Sequence, residues 1–360
     1  MTSRKIRILL ADDSAVMRSL LRMSLETHPQ IEIVAAAADG EEAVEAFARD
    51  HPDFVLLDVD MPRMDGLDAL SAMRRLNPDV PVVMCSTLTR RGARVTLEAL
   101  TRGATDYVSK PSGQPNIRDC VAALSRDLLP KILALCPLET ATPEAVPARP
   151  TVPPSRPPSS ISAPGAVVIG VSTGGPAALD VLLPDLPASF PLPILIVQHM
   201  PRVFTGMLAA RLDSLCAVRV QEAVAGVRPE PGVVHLARGD WHLEIGQDFR
   251  LSMNQNPPEH FCRPSVDILF RSAALACSGH LLAVVLTGMG SDGLAGCRAV
   301  RAAGGSIVVQ DAATSLIWGM PGAVAGAGLA DKILPLSAIA GEMLRFAGAP
   351  RSFSSEAVAV

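Results

Sequence analysis

Ala166–Pro176, reading AVVIGVSTGGP, decides how the larger part of this chain folds. Ala166–Val171 is an apolar run of strand length without polar alternation, the pattern of a strand buried on both faces. It passes into Gly170-Val171-Ser172-Thr173-Gly174, a G-x-S-x-G pattern, and then Gly175-Pro176. Proline is favoured in the first turn of a helix, where its missing N–H costs nothing. The stretch predicts strand, sharp turn, helix, with Ser172 on the turn beside the free N–H groups of a helix N-terminus. Such N–H groups stabilise an oxyanion, and such a hydroxyl attacks a carbonyl. A Gly-rich turn also suits a phosphate or a dinucleotide, although neither G-x-G-x-x-G spacing nor a G-K-[ST] ending is present. A base and an orienting acid elsewhere in the chain decide between these readings.

Downstream, Ile194–Val197 reads as another buried strand and runs into Gln198-His199-Met200-Pro201. Between Val218 and Ser252, short alternating runs are separated by Gly232, Gly239-Asp240 and Gly246-Gln247-Asp248. That pattern predicts antiparallel hairpins appended to the main sheet as a ribbon. Ser265-Val266-Asp267 opens a helix to Ser278, and Leu281–Leu286 is the most apolar strand candidate. It ends in Thr287-Gly288-Met289-Gly290-Ser291-Asp292-Gly293. Asp292 reads either as the N-cap of a helix over Leu294–Ala303 or as a carboxylate brought against an imidazole. Three strand ends thus carry Ser172, His199 and Asp292, a complete acyl-transfer device if they meet. Their order, Ser…His…Asp, differs from that of α/β-hydrolases.

Residues 1 to about 130 alternate between strand and helix patterns. Strands are expected at Ile6–Ala11, Ile31–Ala36, Phe54–Leu57, Val82–Cys85 and Tyr107–Ser109. Helices are expected near Ala15–Thr27, Glu41–Asp50, Leu67–Leu76, Ala93–Arg102 and Ile117–Leu135. Such βα units imply a parallel sheet with its ligand site at the carboxyl ends of the strands. Asp12, Asp13, Asp58, Ser86 and Lys110 stand at those ends. Converging carboxylates repel one another unless a cation joins them, and oxygen ligands with open positions suit Mg²⁺. A carboxylate beside Mg²⁺ can attack a phosphoryl donor, with the metal and Lys110 neutralising the incoming oxygens.

Composition bounds the remaining choices. A chain of 360 residues suggests two domains. The stretch from Pro137 to Pro164 is Pro-rich with Ala, Ser, Thr and Glu and no apolar periodicity, which reads as a semi-extended tether. The seven cysteines form no C-x-x-C pair and read as reduced intracellular thiols. A net charge of −4 and 3% aromatic residues argue against nucleic-acid binding. MTSRKIRILLADD meets acids too early for a signal peptide, so a cytoplasmic protein without membrane insertion is expected.

Residues 1 to about 125 resemble the receiver domain of two-component response regulators. The matching elements are ADDS at 11–14, LLDVDMPRMDGLDAL at 56–70, STLT at 86–89 and Lys110-Pro111. The resemblance implies a flavodoxin-like five-stranded parallel sheet and a phospho-acceptor at Asp58. It implies Mg²⁺ held by Asp12, Asp13 and Asp58 with the main chain near Asp60, and switch residues Ser86, Tyr107 and Lys110. Its phosphodonor is expected to be a histidine kinase of the chemotaxis type.

Residues from about 165 to 346 resemble the catalytic domain of the chemotaxis protein-glutamate methylesterase family. GVSTGGP at 170–176, VQHMP at 197–201, RPSVDILF at 263–270, VVLTGMGSDG at 284–293 and GMPGAV at 319–324 carry that resemblance. It implies a doubly wound, mainly parallel α/β domain, with Ser172 as nucleophile, His199 as base and Asp292 as orienting acid. Main-chain donors at Thr173 and Met289 are implied for the oxyanion, and no cofactor for the ester hydrolysis. The implied activity is phosphorylation-activated demethylation of glutamate methyl esters, with deamidation of certain glutamines, on methyl-accepting chemoreceptors. The expected organisation is a receiver over 1–125, the end of its last helix and a linker over 126–164, a catalytic domain over 165–350 and a tail over 351–360. Arg238 departs from the family, which commonly has proline there.

Overall fold

The computed structural model describes residues 4–111, 116–137 and 164–348. The expected tether beyond residue 137 and the expected tail lie outside the described residues. The chain divides into two compact units, Met1–Thr142 and Pro143–Val360.

The first unit alternates strictly between strand and helix. It runs β1 (Ile6–Ala11), α1 (Ala15–Leu25), β2 (Ile31–Ala37), α2 (Gly40–Asp50), β3 (Phe54–Asp58), α3 (Gly66–Leu76), β4 (Val82–Ser86), α4 (Arg90–Thr101), β5 (Asp106–Ser109) and α5 (Ile117–Leu135). The strands form one parallel sheet in the order β2-β1-β3-β4-β5. Every helix here starts on a cap that immediately precedes it: Ser14, Asp39, Asp65, Thr89 and Asn116 each accept a hydrogen bond from the first turn. Such caps contribute about 0.5–2 kcal/mol each and make helix starts legible in sequence. Strand order reverses between β1 and β3, so the crevice at their carboxyl ends is where a ligand binds in such sheets. Asp12 and Asp58 stand there.

The second unit begins with β6 (Ala166–Val171), α6 (Gly175–Leu182), β7 (Ile194–Gln198), α7 (Arg202–Leu215), β8 (Arg219–Glu222), β9 (Val233–Leu236), β10 (His242–Ile245) and β11 (Leu251–Asn254). It continues with α8 (Val266–Cys277), β12 (Leu281–Val285), α9 (Leu294–Ala302), β13 (Ser306–Gln310), α10 (Met320–Gly326), β14 (Lys332–Leu334) and α11 (Leu336–Phe346). Seven strands form a parallel sheet in the order β14-β13-β12-β6-β7-β9-β8. β6, β7 and β12 are buried along their whole length, as continuous apolar runs in a doubly covered sheet must be. The chain leaves β6 toward β7 on one side and returns as β12 on the other, so the switch point lies beside β6.

The expectation for Val218–Ser252 holds only in its second half. β10 and β11 form an antiparallel hairpin in a two-stranded sheet of their own. β8 and β9, expected in the same ribbon, instead extend the main sheet in parallel, with β9 against β7. Val233–Leu236 is buried on both faces, as a strand inside a covered parallel sheet is, and it pairs with β7 on one edge and β8 on the other.

Helices α8 and α9 pack closely because residue 296 is glycine. A Cβ at Gly296 would lie 2.5 Å from Phe270 Cβ and 3.1 Å from Asp267 Cα. Gly296→Ala therefore sets a helix-propensity gain of about 1 kcal/mol against an overpacking cost of about 1–3 kcal/mol. The expected outcome is net destabilisation, read as a lower thermal midpoint of the second unit. An unchanged or raised midpoint would mean that α8 and α9 part without cost.

Candidate active site

Parallel pairing sets the site. β6 and β7 pair with Val171 opposite Gln198, so the next residues out, Ser172 and His199, leave adjacent strand ends side by side. The His199 N–H donates to Val171 O at 3.1 Å, which continues the ladder beyond the strands. On the other flank of β6, Ser172 N–H donates to Thr287 O at 3.0 Å and joins the turn to the loop after β12. Buried Gln198 donates from Nε2 to the carbonyls of Ser172 and His199, at 3.0 and 3.2 Å. Buried Gln310 accepts from Thr287 N–H at 2.8 Å through Oε1. Two strand-end glutamines thus pin the two loops, and apolar periodicity gave no sign of either role.

The loop after β12 comes very close to Ser172. A Cβ at Gly288 would lie 2.8 Å from Ser172 Cβ and 2.5 Å from Met320 Sδ, so glycine is required for the approach. Met289 follows directly, and among the described residues no acceptor takes its N–H. Thr173, the other expected oxyanion donor, is buried, and its carbonyl accepts from Thr287 Oγ1 at 3.0 Å.

Asp292 does not cap its own helix. Gly293 precedes α9 and has no side chain to cap it, and the first-turn N–H of Gly296 donates instead to Asp267 Oδ1. The Asp292 carboxylate instead sits at the N-terminus of α8, which has no side-chain cap of its own. Oδ1 accepts from Ser265 Oγ and Asp267 N–H, both at 2.9 Å. Oδ2 accepts from Val266 N–H and from His199 Nε2, both at 2.8 Å. Burial by itself would raise the Asp292 pKa. The bond and charge of His199, with the Asp267 and Val266 N–H groups, outweigh that and hold it below the ordinary carboxylate range. The helix macrodipole acts in the same sense.

For His199, burial disfavours the imidazolium, but hydrogen bonds to Asp292 and Cys262 prevail and raise its pKa above that of an ordinary imidazole. With Nε2 bound to the carboxylate, Nδ1 is the nitrogen left to take a proton. Nδ1 faces Cys262 Sγ at 3.7 Å, and among the described residues Ser172 Oγ makes no hydrogen bond to the ring. The structure therefore joins His199 to Asp292 directly and places Ser172 beside them by register. Cys262 and Ser265 are the site neighbours that the sequence did not single out. In the sequence, Ser265 reads only as the start of a helix.

In the first unit, the expected acidic residues converge. One carboxylate oxygen from each of Asp12, Asp13 and Asp58 lies within 4.8 Å of the others. Lys110 Nζ lies 2.7 Å from both Asp12 Oδ2 and Asp58 Oδ2. Asp58 Oδ1 accepts from Val59 N–H at 2.8 Å, and Asp12 Oδ1 accepts from Ser14 N–H at 2.9 Å. Burial, reinforced by the Asp12 charge, pushes Asp58 up to about 6 despite Lys110. Ser86 is buried at the end of β4, where its carbonyl accepts from Lys110 N–H at 2.8 Å. Tyr107 lies half-buried on β5, and Asp60 is exposed.

Comparison with known proteins agrees with both units. A family model described as the CheB methylesterase matches residues 167–343, and one described as the response regulator receiver domain matches residues 8–122. The protein-glutamate methylesterase/protein-glutamine glutaminase of Nocardioides sp. is 45% identical over 351 residues, covering 94% of this chain and 95% of its own. The protein of the same name from Trichodesmium erythraeum is 44% identical over 350 residues, covering 96% and 99%. Among solved structures, the CheB methylesterase catalytic domain of Thermotoga maritima is 40% identical and covers 51% of this chain and 98% of its own, with a TM-score of 0.49. With such identity over nearly the full length of these relatives, the chain belongs to the protein-glutamate methylesterase/protein-glutamine glutaminase family, and it carries a response regulator receiver domain ahead of its CheB methylesterase domain.

Proposed function

We propose that this chain is a cytoplasmic serine hydrolase that removes methyl esters from glutamyl side chains of methyl-accepting chemoreceptors, deamidates certain glutamines there, and is switched on by phosphorylation. Residues 165–350 form its catalytic domain and residues 1–125 its receiver. The observation that carries this reading is the His199 imidazole held on a carboxylate anchored at the α8 N-terminus, with Ser172 at the adjacent strand end. Among the described residues no helix is long and apolar enough to cross a membrane.

In the proposed reaction, Ser172 Oγ attacks the ester carbonyl and its proton passes to His199 Nδ1. Asp292 holds the ring in the tautomer with Nε2–H and balances the imidazolium charge. The oxyanion is met by the N–H groups of Thr173 and Met289. His199 returns the proton to the methoxy oxygen, the C–O bond breaks and methanol leaves. Water, deprotonated by His199, then cleaves the acyl-enzyme to free glutamate and restore Ser172. A glutamine follows the same course with ammonia as the leaving group.

Control is assigned to Asp58 as phospho-acceptor, with a histidine kinase of the chemotaxis type as donor and Ser86, Tyr107 and Lys110 as switch residues. Three clustered carboxylates face one ammonium group, an excess of negative charge that suits a divalent oxygen-liganded cation. Asp12, Asp13 and Asp58, with the main chain near Asp60, would hold Mg²⁺. Once bound, it supplies charge neutralisation for the phosphoryl oxygens.

Methanol release from methylated receptor membranes, with and without a small phosphodonor, tests the whole reading. Ser172→Ala should lower the rate by about 10³-fold or more under both conditions. Asp58→Ala should keep its basal rate and lose the response to phosphodonor. A Ser172→Ala protein as fast as wild type would remove the hydrolase reading.

The attack requires neutral imidazole, and the His199 pKa is raised. The basal rate should therefore climb with pH, with a midpoint above the ordinary imidazole value of about 6.5. Asp292→Asn removes the carboxylate that favours the imidazolium, so the midpoint should move to lower pH. The plateau rate should fall by about 10³–10⁴-fold. A midpoint unmoved by this substitution would show that Asp292 does not set the proton affinity of His199.

A further inference from the structure

Cys262 lies against the nitrogen of His199 that the reaction needs, and nothing in the proposed chemistry uses its thiol. Its place is tightly determined. Glu259 and Cys262 exchange both backbone hydrogen bonds, at 3.1 and 2.9 Å, across a turn whose two central residues are His260 and Phe261. Both central residues have positive φ, 51° and 61°, a strained choice for residues with bulky side chains. Two contacts tie the turn to α8. Glu259 binds Arg271 bidentately at 2.6 and 2.8 Å, and His260 Nε2 lies 3.0 Å from Asp267 Oδ2. The helix that anchors Asp292 therefore also anchors Cys262.

His199, Cys262 and Asp292 each offer an atom within 4.8 Å of the other two. Among the described residues it is the one such cluster that contains a thiol. Both oxygens of Asp292 already accept two hydrogen bonds, so the carboxylate serves behind the imidazole rather than as a ligand. A carboxylate on the far nitrogen of a metal-binding histidine is the usual arrangement and raises ligand basicity. Tetrahedral zinc, with bonds of about 2.3 Å to sulfur and about 2.05 Å to nitrogen, separates those two atoms by about 3.6 Å. Cys262 Sγ and His199 Nδ1 are 3.7 Å apart.

We propose that Cys262 and His199 form an inhibitory site for a thiophilic divalent cation of the zinc class. On binding, the thiol proton and, where the ring is imidazolium, the Nδ1 proton go to solvent, thiolate sulfur and Nδ1 each donate a lone pair to the metal, and water or the Ser172 hydroxyl completes the coordination. No electron is transferred. The metal occupies the lone pair that would take the Ser172 proton, so ester hydrolysis stops until it is removed. The metal site stands on the geometry of the two ligands, while the inhibitory consequence rests on the hydrolase reading above.

Cobalt(II) added to the metal-free full chain provides a readout independent of activity, because thiolate ligation produces a near-ultraviolet charge-transfer band. The band should appear in wild type, be lost in both Cys262→Ala and Cys262→Ser, and be displaced by zinc. Carboxylate-bound cobalt in the first unit gives no such band. Methanol release, measured without phosphodonor and relative to each protein's own metal-free rate, should fall with zinc in wild type and recover with EDTA. Either variant should need at least about tenfold more zinc for the same loss. No band, or an equal band in the variants, overturns the site. Equal zinc sensitivity of wild type and both variants overturns the inhibition. If metal-free wild type releases no methanol, the hydrolase reading fails, while the metal site is still judged by the cobalt band alone.

Discussion

The second unit depends on a single buried carboxylate. Asp292 is 3% exposed, and a charge placed there costs several kcal/mol unless it is fully paired. Four donors satisfy it, three from the start of α8 and one from His199. Charge-assisted bonds of this kind are about twice as strong as neutral ones, and the helix dipole adds to them. α8 thereby gains the cap its own sequence lacks, and the loop after β12 is drawn over the sheet. The imidazole at the end of β7 gains a fixed tautomer. Structure and chemistry share the same hydrogen bonds, so the site cannot loosen without loosening α8.

The two units apply one architectural rule to different ends. Each is a parallel sheet with polar and charged side chains gathered where strand order reverses. In the first unit the gathered groups are carboxylates with one ammonium group, an arrangement fit for cations and phosphoryl groups. In the second they are an imidazole and a carboxylate already consumed by hydrogen bonds, with Ser172 at the adjacent strand end. The helices differ accordingly. Those of the first unit are capped by their own preceding residues, whereas α6, α8 and α9 have no side-chain cap from a preceding residue. Helix starts left open in this way leave N–H groups for a remote carboxylate or for an anion formed during reaction.

Much of this was legible from residue order. The strands of the first unit were expected to within a residue at each end, because buried parallel strands are continuous apolar runs and the helices between them carry visible caps. Ser172 on its turn, His199 after its strand and the acids of the first unit were found because strand ends are easily located. Val218–Leu236 was misplaced, since a four-residue run such as Val233–Leu236 looks alike in a ribbon or a sheet until its neighbours are known. Cys262 carried no signal, because only folding brings its turn against residue 199. Asp292 left two readings open, a local cap or an imidazole partner; it meets the His199 imidazole, and it also caps a helix that begins 27 residues earlier in the chain, counting from Ser265, rather than its own.

Local sequence by itself determined the elements, their alternation and the residue types at the carboxyl ends of the strands. Those properties follow from side-chain burial and backbone capping over a few neighbouring positions. The tertiary structure alone decided which nitrogen of His199 meets Asp292, which helix that carboxylate caps and which thiol faces the remaining nitrogen. Each of these is a contact between segments tens of residues apart, set by strand order and helix packing, and no short window of sequence contains both partners.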